Sequence, residues 1–365
     1  MSTSEKGVFL NNSWYVAASE HEIGRTPFAR KVLNRPVVLY RCEDGTPVAL
    51  EDRCCHRQLP LSMGEVAGDD LICGYHGLRY NSSGLCIGVP GQSAPPPGAR
   101  VRSYPLLERF GWIFIWMGDP ERADERLLPN WWWAAHPEWK RSDMHLIDVA
   151  CNYQLINDNL LDVTHLSFVH KGSIGNAAIV DFAAEIERED RMVRMTRWIM
   201  GRPPPPMYKA AGRFAGNVDR AQIVEFVPPC FTVNYAICKE AGSGLNDDDG
   251  RIRIDHMSLS APTPETPSTS HYFFTFVRGY GLDDPALDHI FEDGFLDVFR
   301  EDVAVLEAQQ RNYDLDVEQV NIAVDAAPMA ARRLVGELIT AEAISAGTAA
   351  SNPSTFPVRT PTESA

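Results

Sequence analysis

Four residues in the first quarter of the chain have the types and the spacing to bind metal. Cys54 and His56 form one pair, and Cys73 and His76 form a second pair after sixteen intervening residues. Thiolates combined with imidazoles suit zinc or an iron–sulfur cluster. In a Rieske centre two cysteines hold one iron and two histidines hold the other. The interleaved order, in which each loop gives one ligand to each iron, favours a Rieske [2Fe–2S] cluster.

Other interpretations account for parts of this cluster. A structural zinc site takes the same ligand types, but it does not require the glycines that flank the second pair, Gly74 and Gly77. A disulfide between Cys54 and Cys73 is disfavoured in a reducing compartment. Unligated buried residues would explain a lone Cys-x-His, since cysteine is often simply a core residue, but not the complete pattern. Cys55 and Cys86 are not needed as ligands, and packing in the core or in a loop is the interpretation for both.

A second set of potential ligands lies within residues 152–170, of which residues 153–170 show helical spacing of apolar groups. His165 and His170 are separated by about 140° on a regular α-helix. Both can bind one ion only if the helix bulges or ends between them, so we expect a π-bulge or a helix end near residues 167–169. Asp162 precedes His165 by three residues, on the same face of the predicted helix, where it can hydrogen-bond to that imidazole. The alternative is a solvated Asp–His pair on a helix surface.

A third ligand is expected from the long amphipathic helix that the periodicity predicts over residues 286–311. Asp302 falls within its apolar stripe, whereas Glu301 lies further round the helix. An unpaired buried carboxylate is costly, so a partner such as a metal is expected. Two histidines and one carboxylate form the facial triad of Fe(II) oxygenases, although a buried arginine is an alternative partner for Asp302. The stripe is predicted to contain Phe291, Phe295, Val298, Val305 and Leu306.

The elements that must position these residues change in character along the chain. The first part contains short β-branched and aromatic runs that are broken by Gly, Pro and Asn, which is typical of β-strands. Later come a helical segment, several strand-like runs and two helices, the second over residues 329–346, which together describe an α+β domain. We therefore predict an all-β domain over residues 1–140 and an α+β domain over residues 141–346. Residues 347–365, rich in Ala, Ser, Thr and Pro, are predicted to be a disordered tail.

Composition argues against several classes of function. The 34 basic and 49 acidic residues give a formal net charge of −15, which argues against nucleic acid or an anionic membrane as a partner. No apolar run approaches the roughly 18 residues of a membrane span, and the N-terminal residues lack an apolar signal core. Eight cysteines in 365 residues do not form the dense pattern of a secreted disulfide scaffold. These features predict a cytoplasmic protein.

The two ligand sets resemble those of the Rieske non-haem iron oxygenases. The first cluster, with Gly77 and the later Val89-Pro-Gly-Gln, resembles the Rieske domain of that family, in which proline often stands where this chain has Cys55. Within the family, the sequence is most similar to the vanillate O-demethylase oxygenase group. The segments that resemble the mononuclear iron site contain Asn159, Asp162, His165, His170, Glu301 and Asp302.

This resemblance implies roles for individual residues. His165, His170 and Asp302 would bind a mononuclear Fe(II), and Asn159 would lie near the iron. Asp162 would link His165 to the Rieske ligand His76 of a neighbouring subunit, which implies a homo-oligomer, typically a trimer. The implied fold is an all-β Rieske domain followed by an α+β catalytic domain, in which a curved antiparallel sheet surrounds the iron.

The implied activity is monooxygenation with O₂ and with electrons from an NAD(P)H-dependent reductase. In this group the expected reaction is O-demethylation of a small methoxylated aromatic acid such as vanillate, which gives a phenol and formaldehyde. Hydroxylation or dioxygenation of an aromatic ring by the same metal sites is the alternative. An electron-transfer ferredoxin fused to a ligand-binding domain is a third hypothesis, but it leaves the second ligand set unexplained. Arg202, Arg213 and the prolines at 203–206 could border the substrate pocket or form a surface loop.

Overall fold

The computed structural model describes residues 9–245, 254–313, 317 and 319–345. The chain forms two compact units. The first consists of Asn11–Leu128 together with Thr263–Pro267, and the second consists of Pro129–Pro262, the segment that begins at Ser268, and the residues up to Leu10. The predicted disordered tail, residues 347–365, lies outside the described residues.

The first unit is built from short antiparallel strands in three sheets. The strands are β1 (Trp14–Ser19), β2 (Phe28–Val32), β3 (Arg35–Arg41), β4 (Pro47–Glu51), β5 (Glu65–Ala67), β6 (Asp70–Ile72), β7 (Arg79–Tyr80), β8 (Cys86–Gly88), β9 (Leu106–Arg109) and β10 (Trp112–Trp116). Their order in the three sheets is β1-β10-β9, β2-β3-β4 and β5-β6-β7-β8. Every residue of β10 is buried, because the strand pairs with β1 on one side and β9 on the other within the core. The predicted all-β character of the N-terminal domain is confirmed.

The described residues of the second unit form an eight-stranded sheet and four α-helices. The strand order is β11-β18-β17-β16-β15-β14-β13, and β12 also pairs with β18. These strands are β11 (Lys140–Arg141), β12 (His145–Val149), β13 (Ala184–Glu189), β14 (Met192–Arg202), β15 (Val218–Val227), β16 (Phe231–Glu240), β17 (Ile254–Thr266) and β18 (Thr269–Arg278). The helices are α1 (Tyr153–Leu161), α2 (Pro206–Gly212), α3 (Pro285–Asn312) and α4 (Ala326–Ser345). The predicted α+β class is confirmed.

Helix α3 places an aromatic stripe against the inner face of the sheet. The Phe299 ring lies 4.4 Å from the Phe274 ring, and the Phe295 ring lies 5.0 Å from the Phe276 ring, so α3 packs on strand β18. Asp302 continues this stripe and is only 4% exposed, as its helical spacing predicts. The prediction that Val305 belongs to the stripe is wrong: it is 45% exposed. The buried positions are instead Leu287, Phe291, Phe295, Val298, Phe299, Asp302 and Leu306.

A largely buried ion pair joins helix α4 to helix α1. The Arg332 guanidinium Nε donates to both carboxylate oxygens of Asp158 at 2.9 Å. The side chains of Arg332 and Asp158 are 12% and 24% exposed, so each charge depends on the other in place of water. Since α1 leads directly into the histidine segment, this pair helps to anchor that segment.

Replacing Arg332 with leucine should destabilise the second unit by about 3 kcal/mol, because the Asp158 charge is left without its partner. The double variant Arg332→Leu/Asp158→Asn should recover part of the loss, since it leaves no uncompensated charge. Urea unfolding followed by circular dichroism measures both effects. Arg300→Leu is the matched control, because Arg300 forms an exposed pair with Asp297; an equal loss in Arg300→Leu and Arg332→Leu would contradict the account.

Candidate metal centres

Two equivalent turns present the cysteines and histidines of the first cluster. In each turn the cysteine N–H donates to the carbonyl five residues later, and the cysteine carbonyl accepts from the N–H four residues later, at 2.8 to 3.0 Å. The fourth residue after Cys54 is Gln58 and the fourth after Cys73 is Gly77, with φ of 61° and 71°. A β-carbon on Gly77 would lie only 2.9 Å from Pro90, so this turn requires glycine for space as well as for its left-handed conformation.

The cysteines of these turns are buried, and the histidines are exposed. Cys54 and Cys73 are each 2% exposed, whereas His56 and His76 are exposed and their rings lie 4.6 Å apart. Burial raises the pKa of the Cys73 thiol, while hydrogen bonds from the N–H groups of Tyr75 and His76 oppose that shift. Two adjacent sulfurs inside and two adjacent imidazoles outside fit a [2Fe–2S] cluster with one thiolate-bound and one imidazole-bound iron.

Tyr80 lies beside the cysteine ligands. Its hydroxyl is 3.2 Å from the Cys54 sulfur and 3.1 Å from the Cys55 sulfur, and it accepts a hydrogen bond from the Cys55 N–H. Cys55 is exposed in a turn, which agrees with packing in a loop, whereas Cys86 is buried.

The segment that carries the second ligand set is not one continuous helix. Helix α1 ends at Leu161, and a 3-10 helix follows over Val163–Ser167. The Asp162 carboxylate accepts a hydrogen bond from the Thr164 N–H at 2.9 Å, so it caps the second helix and the α-helical path stops there. The predicted helix end near residues 167–169 is confirmed at Ser167, but the α-helical part ends earlier than the spacing predicted.

The contact between Asp162 and His165 differs from the predicted one. The carbonyl oxygen of Asp162, not its carboxylate, contacts Nδ1 of His165. The two residues do not share an α-helical face, because the backbone leaves the helical conformation at Asp162 with φ −97° and ψ 88°. The carbonyl therefore orients this imidazole, and the prediction of a carboxylate in that role is wrong.

His165, His170 and Asp302 come together in the second unit. Nε2 of His170 lies 2.9 Å from Asp302 Oδ1, and Nε2 of His165 lies 3.4 Å from the same oxygen. One potential ligand atom from each residue lies within 4.8 Å of the others. Nε2 of His165 is buried and makes no aligned hydrogen bond to any described residue. An orphaned imidazole nitrogen beside a second imidazole and a carboxylate fits Fe(II), for which this donor set is typical.

Two further side chains contact the ligand residues. The Asn159 amide donates to Asp302 Oδ1 at 3.1 Å, which places Asn159 next to the ligand set. Glu301 Oε2 lies 2.6 Å from Nδ1 of His170. In the sequence, Glu301 stands in the segment that resembles the iron site, but it was given no predicted role because the helical periodicity placed it outside the buried stripe. Its position directly before Asp302 was the available signal.

The electrostatics favour a carboxylate that is ready to bind a cation. Burial raises the pKa of Asp302, but the close contacts and charges of His165 and His170 outweigh burial and lower this pKa to about 2. Burial lowers the pKa of His170, and contacts with Asp302 and Glu301 outweigh it and raise that pKa. Asp302 is therefore ionised throughout the physiological pH range.

Comparison with known families gives the assignment of both units. Residues 13–105 match the Rieske [2Fe-2S] domain, and residues 149–341 match the vanillate O-demethylase oxygenase C-terminal domain. The chain belongs to the Rieske non-haem iron oxygenases. It is an enzyme, an oxygenase component whose cofactors are a Rieske [2Fe–2S] cluster and a mononuclear iron.

Its relatives act on several small aromatic compounds. A putative toluene-4-sulfonate monooxygenase iron-sulfur subunit of Comamonas testosteroni is 40% identical, over 92% of this chain and 98% of the relative. A vanillate O-demethylase oxygenase subunit of a Pseudomonas species is 34% identical, over 92% and 96%. The crystal structure of dicamba monooxygenase bound to 3,6-dichlorosalicylic acid has a TM-score of 0.85 at 30% identity, over 92% of this chain and 99% of that one.

Two further sequence expectations concern the surface. Arg202 and Arg213 have exposed side chains near Asp181 and Asp284, at 3.5 and 3.9 Å, which favours the surface interpretation for both arginines. Within the part of the chain that the structure describes, no helix is long and apolar enough to cross a membrane.

Glu301→Gln should weaken iron binding about 10- to 100-fold, because an amide holds the Nδ1–H of His170 less firmly than a carboxylate does. Dialysis against a graded chelator, with iron counted per chain, measures the affinity, and the Rieske EPR signal serves as an internal reference. Asp297→Asn is the control on the exposed side of the same helix. Iron retention equal to that of the wild type would show that Glu301 does not support the ligand.

Proposed function

We propose that this protein O-demethylates a small methoxylated aromatic acid, with O₂ and with electrons from an NAD(P)H-dependent reductase. The observation that carries the proposal is the group of His165, His170 and Asp302, in which His170 and Asp302 are buried and His165 is half-buried. It adjoins the aromatic stripe of α3, in a chain whose relatives include vanillate and dicamba O-demethylases. All eight cysteines are free of disulfides, which suits the reducing cytoplasm where we place the protein.

The side chains around the second site bind and orient. His165, His170 and Asp302 would hold the iron, while Cys54, His56, Cys73 and His76 would hold the cluster. When bound, the cluster supplies single electrons and the iron activates O₂ for attack on a C–H bond. Glu301 accepts a hydrogen bond from Nδ1–H of His170, which fixes the tautomer that leaves Nε2 as the ligand atom.

The aromatic stripe accounts for the class of substrate. Phe295 and Phe299 precede Asp302 by two turns and one turn of α3, and they pack against Phe276 and Phe274 of the sheet. This packing excludes water, and the rings nearest the metal ligands would offer flat apolar contacts to an aromatic substrate. Insertion of one oxygen atom into a methoxy C–H bond gives a hemiacetal, which breaks into a phenol and formaldehyde. The second oxygen atom leaves as water after two electrons and two protons have been taken up.

We infer that the active form is a homotrimer in which electrons cross between subunits. In this arrangement Asp162 lies between His165 of one subunit and His76 of the next. The exposure of His76 supports the proposal. Asp162 also supports it, because its carbonyl contacts His165 while its carboxylate, which accepts from the Thr164 N–H, could also accept from His76 of the next subunit.

Oxidation of a methyl group bonded directly to the ring is the second candidate function. The observation in its favour is the 40% and 38% identity to the two toluene-4-sulfonate monooxygenase subunits, since that compound carries a ring methyl group and no methoxy group. The product would be a benzyl alcohol, and no formaldehyde would be released.

A product assay decides between these candidates. The holoenzyme, supplied with a surrogate reductase and NADH, is offered methoxybenzoates and methylbenzenesulfonates, and O₂ uptake, formaldehyde and aromatic products are quantified. We expect formaldehyde equal to the O₂ consumed with a methoxybenzoate. Coupled O₂ uptake that yields an alcohol, a diol or a ring phenol without formaldehyde would contradict O-demethylation.

Asp162→Asn should leave both metal centres occupied, because asparagine retains the cap on Thr164, while electron transfer between the centres collapses with the loss of the charge. The measurement is single-turnover mixing of pre-reduced protein with substrate and O₂, in which reoxidation of the Rieske absorbance is followed. Reoxidation at the rate of the wild type would remove Asp162 from the path. Loss of the mononuclear iron would instead assign it a structural or ligand role.

A further inference from the structure

Arg220 is a buried cation in the interior of the catalytic unit. It lies on strand β15 opposite Ile199 and Cys238, both of which belong to the hydrophobic core, so its side chain points to the inner face of the sheet. Arg220 is only 2% exposed, and among the described residues no carboxylate lies within ion-pair distance of it. A buried charge without a counter-charge is strongly destabilising, which makes this residue unusual in a core.

The groups around Arg220 are neutral phenols. The Tyr208 hydroxyl can accept from the guanidinium and still donate its own proton to an anion. The Arg220 guanidinium lies 5.0 Å from the ring centroid of Tyr208, while its Nη1 is buried and has no partner among the described residues. Tyr208 and Cys238, which neighbour Arg220, both act on the pKa of Tyr280. The Tyr280 hydroxyl is also buried and unpartnered in the described part of the chain. Burial raises the pKa of both phenols, so they remain neutral donors. The cluster thus offers an anion one cation and two hydroxyl groups.

We propose that Arg220, with Tyr208 and Tyr280, binds the acidic group of the substrate, an aryl carboxylate or an aryl sulfonate. An anionic group would supply the missing counter-charge and would accept from the unpartnered Nη1 and hydroxyl groups. This inference rests on the proposed function, because it assigns one end of the substrate of the same active site.

The position of the cluster along α3 agrees with this role. Tyr208 follows Met207 on α2, and Met207 packs so closely on α3 that a β-carbon at Gly294 would lie 2.6 Å from its Cε. Gly294 precedes Asp302 by eight residues, about 12 Å of helical rise. That separation accommodates an aromatic ring between the anion cluster and the iron ligands. The side of the substrate ring would contact Phe295 of the aromatic stripe and His256 of strand β17, whose rings stack at 4.6 Å.

The test measures binding to the oxidised holoenzyme without turnover. Benzoate and benzenesulfonate are titrated by calorimetry into the wild type and into Arg220→Met, which keeps the length of the side chain but not its charge, with neutral 4-methylanisole as the reference ligand. We expect the affinity for both anions to fall about 10- to 100-fold, while the affinity for 4-methylanisole is retained. The anion that binds the wild type more tightly shows whether the site prefers a carboxylate or a sulfonate. Unchanged anion affinity in the variant overturns the proposal.

Two further variants keep the test decisive. Tyr280→Phe removes only an unpartnered hydroxyl, and it should weaken anion binding even if Arg220→Met fails to fold; anion binding by Tyr280→Phe equal to that of the wild type then overturns the proposal. Arg202→Met removes an exposed arginine near Asp181 and should change neither anion affinity nor melting temperature.

Thermal melting separates binding from a structural role. Without ligand, Arg220→Met should melt at a higher temperature than the wild type, since an unpaired charge is gone. Benzenesulfonate should no longer raise the melting temperature of this variant. If the anions bind as proposed but no aromatic acid yields formaldehyde, the proposed reaction fails and this site stands.

Discussion

The buried carboxylate of Asp302 is the constraint around which the catalytic unit is arranged. A carboxylate removed from water requires compensation, and Oδ1 of Asp302 faces the nitrogens of His165 and His170 and the amide of Asn159. Three segments must therefore converge at one oxygen: α1, the turn that follows it, and α3. The aromatic packing of α3 on the sheet holds the carboxylate at the required depth, and the Asp158–Arg332 pair anchors α1.

The same convergence explains why the chain abandons the α-helix at Asp162. A continuous helix would point His165 and His170 in different directions, whereas the capped 3-10 helix and the turn after it bring both imidazoles to Asp302. The carbonyl of Asp162 directs His165, and the carboxylate of Glu301 directs His170. Each ligand is thus oriented by a different kind of acceptor, one from the backbone and one from a side chain.

The sequence predicted those features that depend on spacing along one segment. The Cys54–His76 cluster follows from residue type and interval, and the burial of Asp302 follows from the period of α3. It did not predict features that depend on which chemical group faces which neighbour. The Asp162 carboxylate could accept a hydrogen bond either from the Thr164 N–H or from His165, and the backbone conformation of the folded chain determines which of the two it accepts. Arg220 stands in a strand whose pattern does not show that its face is the buried one, so the unpaired charge emerges only from the register of β14, β15 and β16.

Asp302 completes the mononuclear iron site, and the Rieske cluster forms without it. The most direct measurement is iron per chain together with the Rieske EPR signal in the wild type and in Asp302→Ala. The wild type should contain about three irons, of which two belong to the cluster. The variant should contain about two irons, with an unchanged EPR signal. A variant that keeps the third iron would contradict the account, because another residue would then supply the carboxylate ligand.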